Sequence, residues 1–143
     1  MFVRLLHGYP FLSLAQALTV LRIATAIFFM AHAIVRIADD TIPQFALRLA
    51  HEGWPVATAI VWAITVCEIV SGAALILDRY VRLATFGLLF IAAMGIVIIH
   101  AQLGWFVGEH GTGGMEYSVA LIVSLITIAA ADGDASQHAA GKW

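Results

Sequence analysis

Long apolar runs separated by short polar clusters set the pattern of this chain. Leu83–Val107 contains no Asp, Glu, Lys or Arg, and Trp54–Leu77 is interrupted only by Glu68. A third run covers Met115–Ala131, with Glu116 at its edge. Near the start, Leu5–Leu21 and Ile23–Val35 are divided by Arg22. A helix needs about 20 mostly apolar residues to cross about 30 Å of hydrocarbon. The runs therefore predict an all-α protein: an integral membrane four-helix bundle in one domain, residues 1–143. The spans are expected at about 18–38, 54–77, 83–105 and 115–131, with 132–143 as a cytoplasmic tail. Residues 1–17 are expected to form an interfacial segment, with Pro10 and Ser13 before the first helix. Arg22, His32 and Arg36 suit a packed helix better than a cleaved leader.

The connections differ. Asp78–Arg82 is short enough to be a tight turn, which makes spans two and three antiparallel neighbours. Thr41–Gly53 is longer, and there Ile42, Phe45 and Leu49 recur at helical spacing opposite Arg48 and Glu52. Thr41 can cap this segment, Pro43 suits its first turn, and Gly53 and Pro55 stop it. It is expected to be a short amphipathic helix on the outer membrane surface, between spans one and two. The third connection carries Gly104, Gly108, Gly111, Gly113 and Gly114.

Composition agrees. The chain is 62% hydrophobic and 11% charged, where a soluble domain has about a quarter of its residues charged. Its mean hydropathy is +0.97. Such a chain is neither disordered nor covered by a water-soluble surface. A net charge of −2 gives no basic field for nucleic acid. One cysteine, Cys67, excludes an intramolecular disulfide, a redox CxxC pair and a cysteine-rich zinc site. Arg4, Arg22, Arg79, Arg82 and Lys142 fall on one side of four spans, and Arg36 and Arg48 on the other. Basic residues favour the cytoplasm, so both termini are expected there.

Small and polar residues mark the inward faces of membrane helices. Arg22, Thr25, His32 and Arg36 share an arc of the first helix, and Thr58, Thr65, Glu68 and Gly72 an arc of the second. Tyr117, Ala120, Ser124, Thr127 and Ala131 do the same on the fourth. Glu68 lies near the middle of its span. A carboxylate there needs a partner, water or a proton, and Arg22 is the expected partner by depth. The pair is either structural or a proton-transfer group. His32, Arg36, His100, Glu116 and Tyr117 are expected at similar depth beneath the glycine-rich loop. A quinone head has two carbonyls that need donors, and His, Tyr and Arg supply them. His32, His100 and Glu116 also fit a three-ligand metal set by type, but no HxxxH or ExxH spacing supports one. Neither metal nor haem is expected in this chain. His7, His51, His110 and His138 are expected at the surface.

In order along the chain, these motifs resemble the DoxX family of small bacterial membrane proteins. L-R-I-A-T-A-I-F-F-M-A-H-A-I-V-R, Leu21–Arg36, resembles the family's opening, with Ala33 for its Gly and Arg36 for its Lys. Gly53–Pro55 resembles its G-x-P. Cys67–Leu77 resembles its E-x-x-x-G-x-x-L, with Asp78 where a Gly closes the motif. Gly113–Tyr117 resembles its G-G-x-E-Y, and Gly133–Ser136 the start of its closing G-x-x-S-L-D. The resemblance implies a four-helix bundle in the bacterial inner membrane. Relatives include the membrane subunit of a thiosulfate:quinone oxidoreductase. The expected role is therefore a quinone-interacting or accessory subunit of a membrane oxidoreductase complex, beside other membrane subunits or further copies of itself. Two alternatives are a purely structural accessory subunit that binds only lipid, and a small proton-linked transporter working through Glu68.

Overall fold

The computed structural model of the chain describes residues 11–107 and 113–140, with side chains through residue 135. The expected interfacial segment therefore lies largely outside the described residues, as do His7 and His110. Four helices are long and apolar enough to cross a membrane: Leu14–Ala38, Ala57–Ile76, Val81–Leu103 and Glu116–Ala135. They correspond to α1, Leu14–Ala38; α3, Ala57–Ile76; α4, Val81–Gly95, with the turns that follow it; and the greater part of α5, Glu116–Ala140. The short α2, Ile42–His51, lies between the first two. α1 packs on α3, α3 on α4, α4 on α5, and α5 back on α1, while α2 rests on α3. The result is an up-and-down bundle. One end carries α2 and the glycine-rich connection; the other carries the tight α3–α4 turn.

Local chemistry explains most helix limits. α1 begins at Leu14, earlier than expected. Ser13 Oγ accepts from the Gln16 N–H at 3.2 Å, and Gln16 Oε1 accepts from the Ser13 N–H at 2.9 Å. This capping box satisfies two otherwise free donors. Arg22 does not interrupt the helix. α2 forms as expected, although Thr41 makes no side-chain cap; its hydroxyl donates instead to the Arg36 carbonyl oxygen at 3.3 Å. Gly53, at φ +84°, ends α2, with the N–H groups of Gly53 and Trp54 reaching back to Ala50 and Leu49. α5 continues nine residues past Ala131, through Ala140, so much of the expected tail is helical. No proline stops it, and Gly133 alone does not.

The α3–α4 turn uses Asp78 at φ +57°, and the Arg79 N–H bonds the Ala74 carbonyl at 2.9 Å. Aspartate is among the few residues that tolerate this left-handed conformation. Aspartate keeps the turn and adds a carboxylate, which accepts from Arg22 Nη1.

The core at the turn end is dry. Leu75, Leu88 and Leu125 are fully buried and meet Ala26, Phe29, Ala84, Leu121 and Ile128 there. A smaller cluster joins Ile42, Ala46 and Leu49 of α2 to Ala57 and Val61 of α3. Val20, Ile27, Val66, Val70, Phe86, Val123 and Ile126 are exposed, and they furnish the lipid-facing belt.

One inward face differs from expectation. On α5 the buried positions are Ser118, Leu121, Leu125, Ile128 and Gly133, while Tyr117, Ala120 and Thr127 are exposed. Ser124 and Thr127 satisfy themselves: each hydroxyl donates to the carbonyl four residues back, at 2.9 Å. A hydroxyl that bonds its own helix can face lipid, so these residues do not mark the packed face. Thr58 on α3 is exposed as well. Thr25, Thr65, Glu68 and Gly72 are buried as expected.

Candidate functional site

A cavity of about 660 Å³ opens in the half of the bundle that carries α2. All four spanning segments and α2 contribute to its wall. Its floor is Phe29, Ala92 and Leu121, members of the dry core. Most of the lining is apolar, and a few polar groups converge on it: His32, Arg36, Arg48, Glu68, His100 and Tyr117. An apolar pocket with a few convergent polar groups is the usual form of a small-molecule site.

The centre of this polar set is an ion pair with a different partner from the expected one. Arg36, not Arg22, pairs with Glu68. Arg36 Nη1 donates to Glu68 Oε2 at 2.8 Å and to Thr65 Oγ1 at 2.8 Å. The Thr65 hydroxyl in turn donates to the Val61 carbonyl oxygen at 2.8 Å. The Glu68 side chain is 5% exposed and that of Arg36 14%. The Arg36 guanidinium also lies 5.5 Å from the centre of the Phe45 ring on α2, a cation–π contact that joins the roof to the wall.

Helix geometry accounts for the exchange of partners. Side chains lean toward the N-terminus of their own helix. α1 and α3 are antiparallel, so Arg36 leans back into the bundle and Glu68 leans up toward it. Arg22 leans in the same direction as Arg36, which from its position near the start of α1 carries it away from Glu68 and toward the turn, where it meets Asp78. Depth counted from backbone positions misses this, because two long side chains span about two helical turns between them.

His100 reaches the cavity by a local distortion. α4 gives way to a π-helical turn at Ile96–His100, with a 3-10 turn next at Ala101–Leu103. A π-helical turn inserts an extra residue and re-aims the side chains beyond it, and such turns recur at functional sites. His100 Nδ1 is closed off from solvent and has no hydrogen-bond partner among the described residues. A buried group left this way costs about 1–3 kcal/mol. His32 lines the same cavity from α1. The two histidines therefore border one space, although His32, expected on the inward arc of α1, is exposed.

Tyr117 borders the cavity from α5, with its ring edge-on to Phe28 at 6.1 Å. Glu116 does not border it. Its Oε1 accepts from the Val107 N–H at 3.0 Å, which ties the end of the third span to the start of α5. Gly114 serves the same junction: a side chain there would run into the carbonyl groups of Trp105 and Phe106. His51 is exposed. The groups that the arcs missed are Gln44, Phe45 and Arg48. The amphipathic pattern of α2 was visible, but not that its flank would roof a cavity.

The DoxX family model matches residues 17–101. The chain belongs to the DoxX family. The matched stretch runs from the first turn of α1 through the π-helical turn, so it contains Arg36, Glu68 and His100. The DoxX match covers more than half of the chain, and α5 lies outside it. No curated protein and no solved structure matches this sequence. The family match shows a small membrane protein.

Proposed function

We propose that this protein is a quinone-interacting membrane subunit of an oxidoreductase complex, and that the cavity holds the quinone head. The observation that carries this reading is the convergence of His32, Arg36, His100 and Tyr117 on one largely apolar cavity. A quinone is a flat ring with two carbonyl acceptors and an apolar tail. The imidazoles, guanidinium and phenol supply donors, and Phe29, Phe90 and Ile91 supply apolar surface. Glu68, held by Arg36 at the cavity wall, would stand beside the head as a proton-exchanging group. The chain would bind and orient the head, and electrons would come from a partner's redox centre. The charge bias of the loops supports a non-cytoplasmic position for the cavity, in a bacterial inner membrane.

The two other readings fit less well. A purely structural subunit calls for a closed interior and an Arg22–Glu68 pair. A proton-linked transporter calls for a hydrated path past Glu68, and the dry core of Leu75, Leu88 and Leu125 lies between it and the turn.

Trp54 lines the cavity and offers the test. In a variant that keeps Trp54 as its single tryptophan, a short-tailed ubiquinone analogue should quench fluorescence saturably. His100→Phe together with Tyr117→Phe should weaken that binding at least tenfold. Quenching that never saturates, or that both changes leave untouched, would remove the quinone from this cavity.

A further inference from the structure

The cavity is unevenly charged. Two guanidinium groups face it, Arg36 and Arg48, against one carboxylate, Glu68. Glu68 is committed to Arg36. The Arg48 side chain has no acidic partner among the described residues. Arg48 is exposed on α2 and lines the same cavity as His100. His100 borders the same space with its imidazole, whose Nδ1 is closed off from solvent. One side of the cavity thus has a guanidinium with no acidic partner among the described residues, beside an imidazole. The opposite side is already neutral. Arg36 is therefore not the group left to meet an incoming charge.

We infer that Arg48 and His100 form an anion-selecting subsite, so that among apolar-tailed molecules the cavity prefers a head that carries a negatively charged oxygen to its neutral counterpart. This rests on the cavity being a ligand site, and it narrows which head is taken. A small inorganic anion fits poorly, because Ile64, Phe90, Ile91 and Ile98 leave an apolar volume that only a hydrocarbon portion fills. A guanidinium holds an anionic oxygen through charge-assisted hydrogen bonds, roughly twice as strong as neutral ones. The imidazole adds one more N–H. A fatty-acid carboxylate and the ionised hydroxyl of a hydroxyquinone share this chemistry.

The test uses two pairs of probes matched in their tails: oleate against oleyl alcohol, and an alkylated hydroxynaphthoquinone against its methyl ether. Binding is measured on the full chain in phosphatidylcholine nanodiscs at alkaline pH. At least one charged probe should bind tenfold or more tightly than its neutral twin. Arg48→Gln should abolish that preference and leave the neutral twin within about twofold, and Arg48→Lys should keep the preference. The pair that shows the effect identifies the source, lipid or quinone. Equal binding within both pairs, or a preference that survives Arg48→Gln, overturns the inference while leaving the cavity a ligand site. If none of the four probes binds, the inference and the cavity reading fall together.

Discussion

Breaking the Arg36–Glu68 pair should cost more from one side than from the other. At an effective dielectric of about 20, opposite unit charges about 4 Å apart attract by roughly 4 kcal/mol. The pair is at 2.8 Å with side chains only 5% and 14% exposed, so little of this is screened. Arg36→Met leaves Glu68 charged and alone near the middle of α3, where no other cation among the described residues pairs with it. Removing one partner of a buried pair destabilises by about 3–5 kcal/mol. Glu68→Gln leaves an amide oxygen that still accepts from Arg36. The released charge then has an exit, because Arg36 lies in the last turn of α1 and its long stem can carry the head toward water. The expected loss is about 1–2 kcal/mol. In the Arg36→Met background, adding Glu68→Gln should recover about 2 kcal/mol. Unfolding of the full chain in detergent, tracked by circular dichroism, reads these differences at roughly 4 °C of Tm per kcal/mol. Glu68→Gln proving costlier than Arg36→Met, or no recovery in the double variant, would refute the argument that Glu68 is the stranded partner.

Other changes separate buried from exposed features. Asp78 is 62% exposed at its side chain, and exposed pairs contribute at most about 1 kcal/mol. Asp78→Gly should therefore be near neutral in the same melts, because relief at φ +57° offsets the lost Arg22 contact; Asp78→Val should lose about 1–2 kcal/mol. Gly72 is packed under the Met30 side chain and against the Ala26 carbonyl. Gly72→Ala should destabilise by about 1–3 kcal/mol, and shortening Met30 to Ala should restore part of it. Gly114→Ala meets backbone carbonyls rather than a movable side chain. It should break the Met115–Gly104 and Glu116–Trp105 bonds, seen as faster hydrogen exchange around residues 104 and 116.

The architecture was legible because lipid leaves the backbone only helices or closed barrels, and runs of about 20 apolar residues select the helix. The surface helix was legible too, since Ile42 and Leu49 had to lie on one face. Glu68 stood out by its depth alone. Its partner did not, because the lean of Arg36 and Glu68 toward each other depends on helix direction rather than on sequence position. Ser124 and Thr127 misled for a related reason: in lipid a hydroxyl can be satisfied by its own helix. The π-helical turn left no mark, since Ile96–Ile99 reads as unbroken apolar helix. The cavity itself arises where α2 fails to fill the space between spans, and that depends on packing.

The central claim is that a quinone head occupies the cavity, and a photoreactive ubiquinone analogue tests it most directly. Illuminated with the full chain in nanodiscs and mapped by mass spectrometry, the probe should label segments around His32, Phe45–Arg48 and Ile98–His100, with competition by excess unlabelled quinone. Labelling spread along the lipid belt at Val66, Val123 and Ile126, without competition, would contradict it.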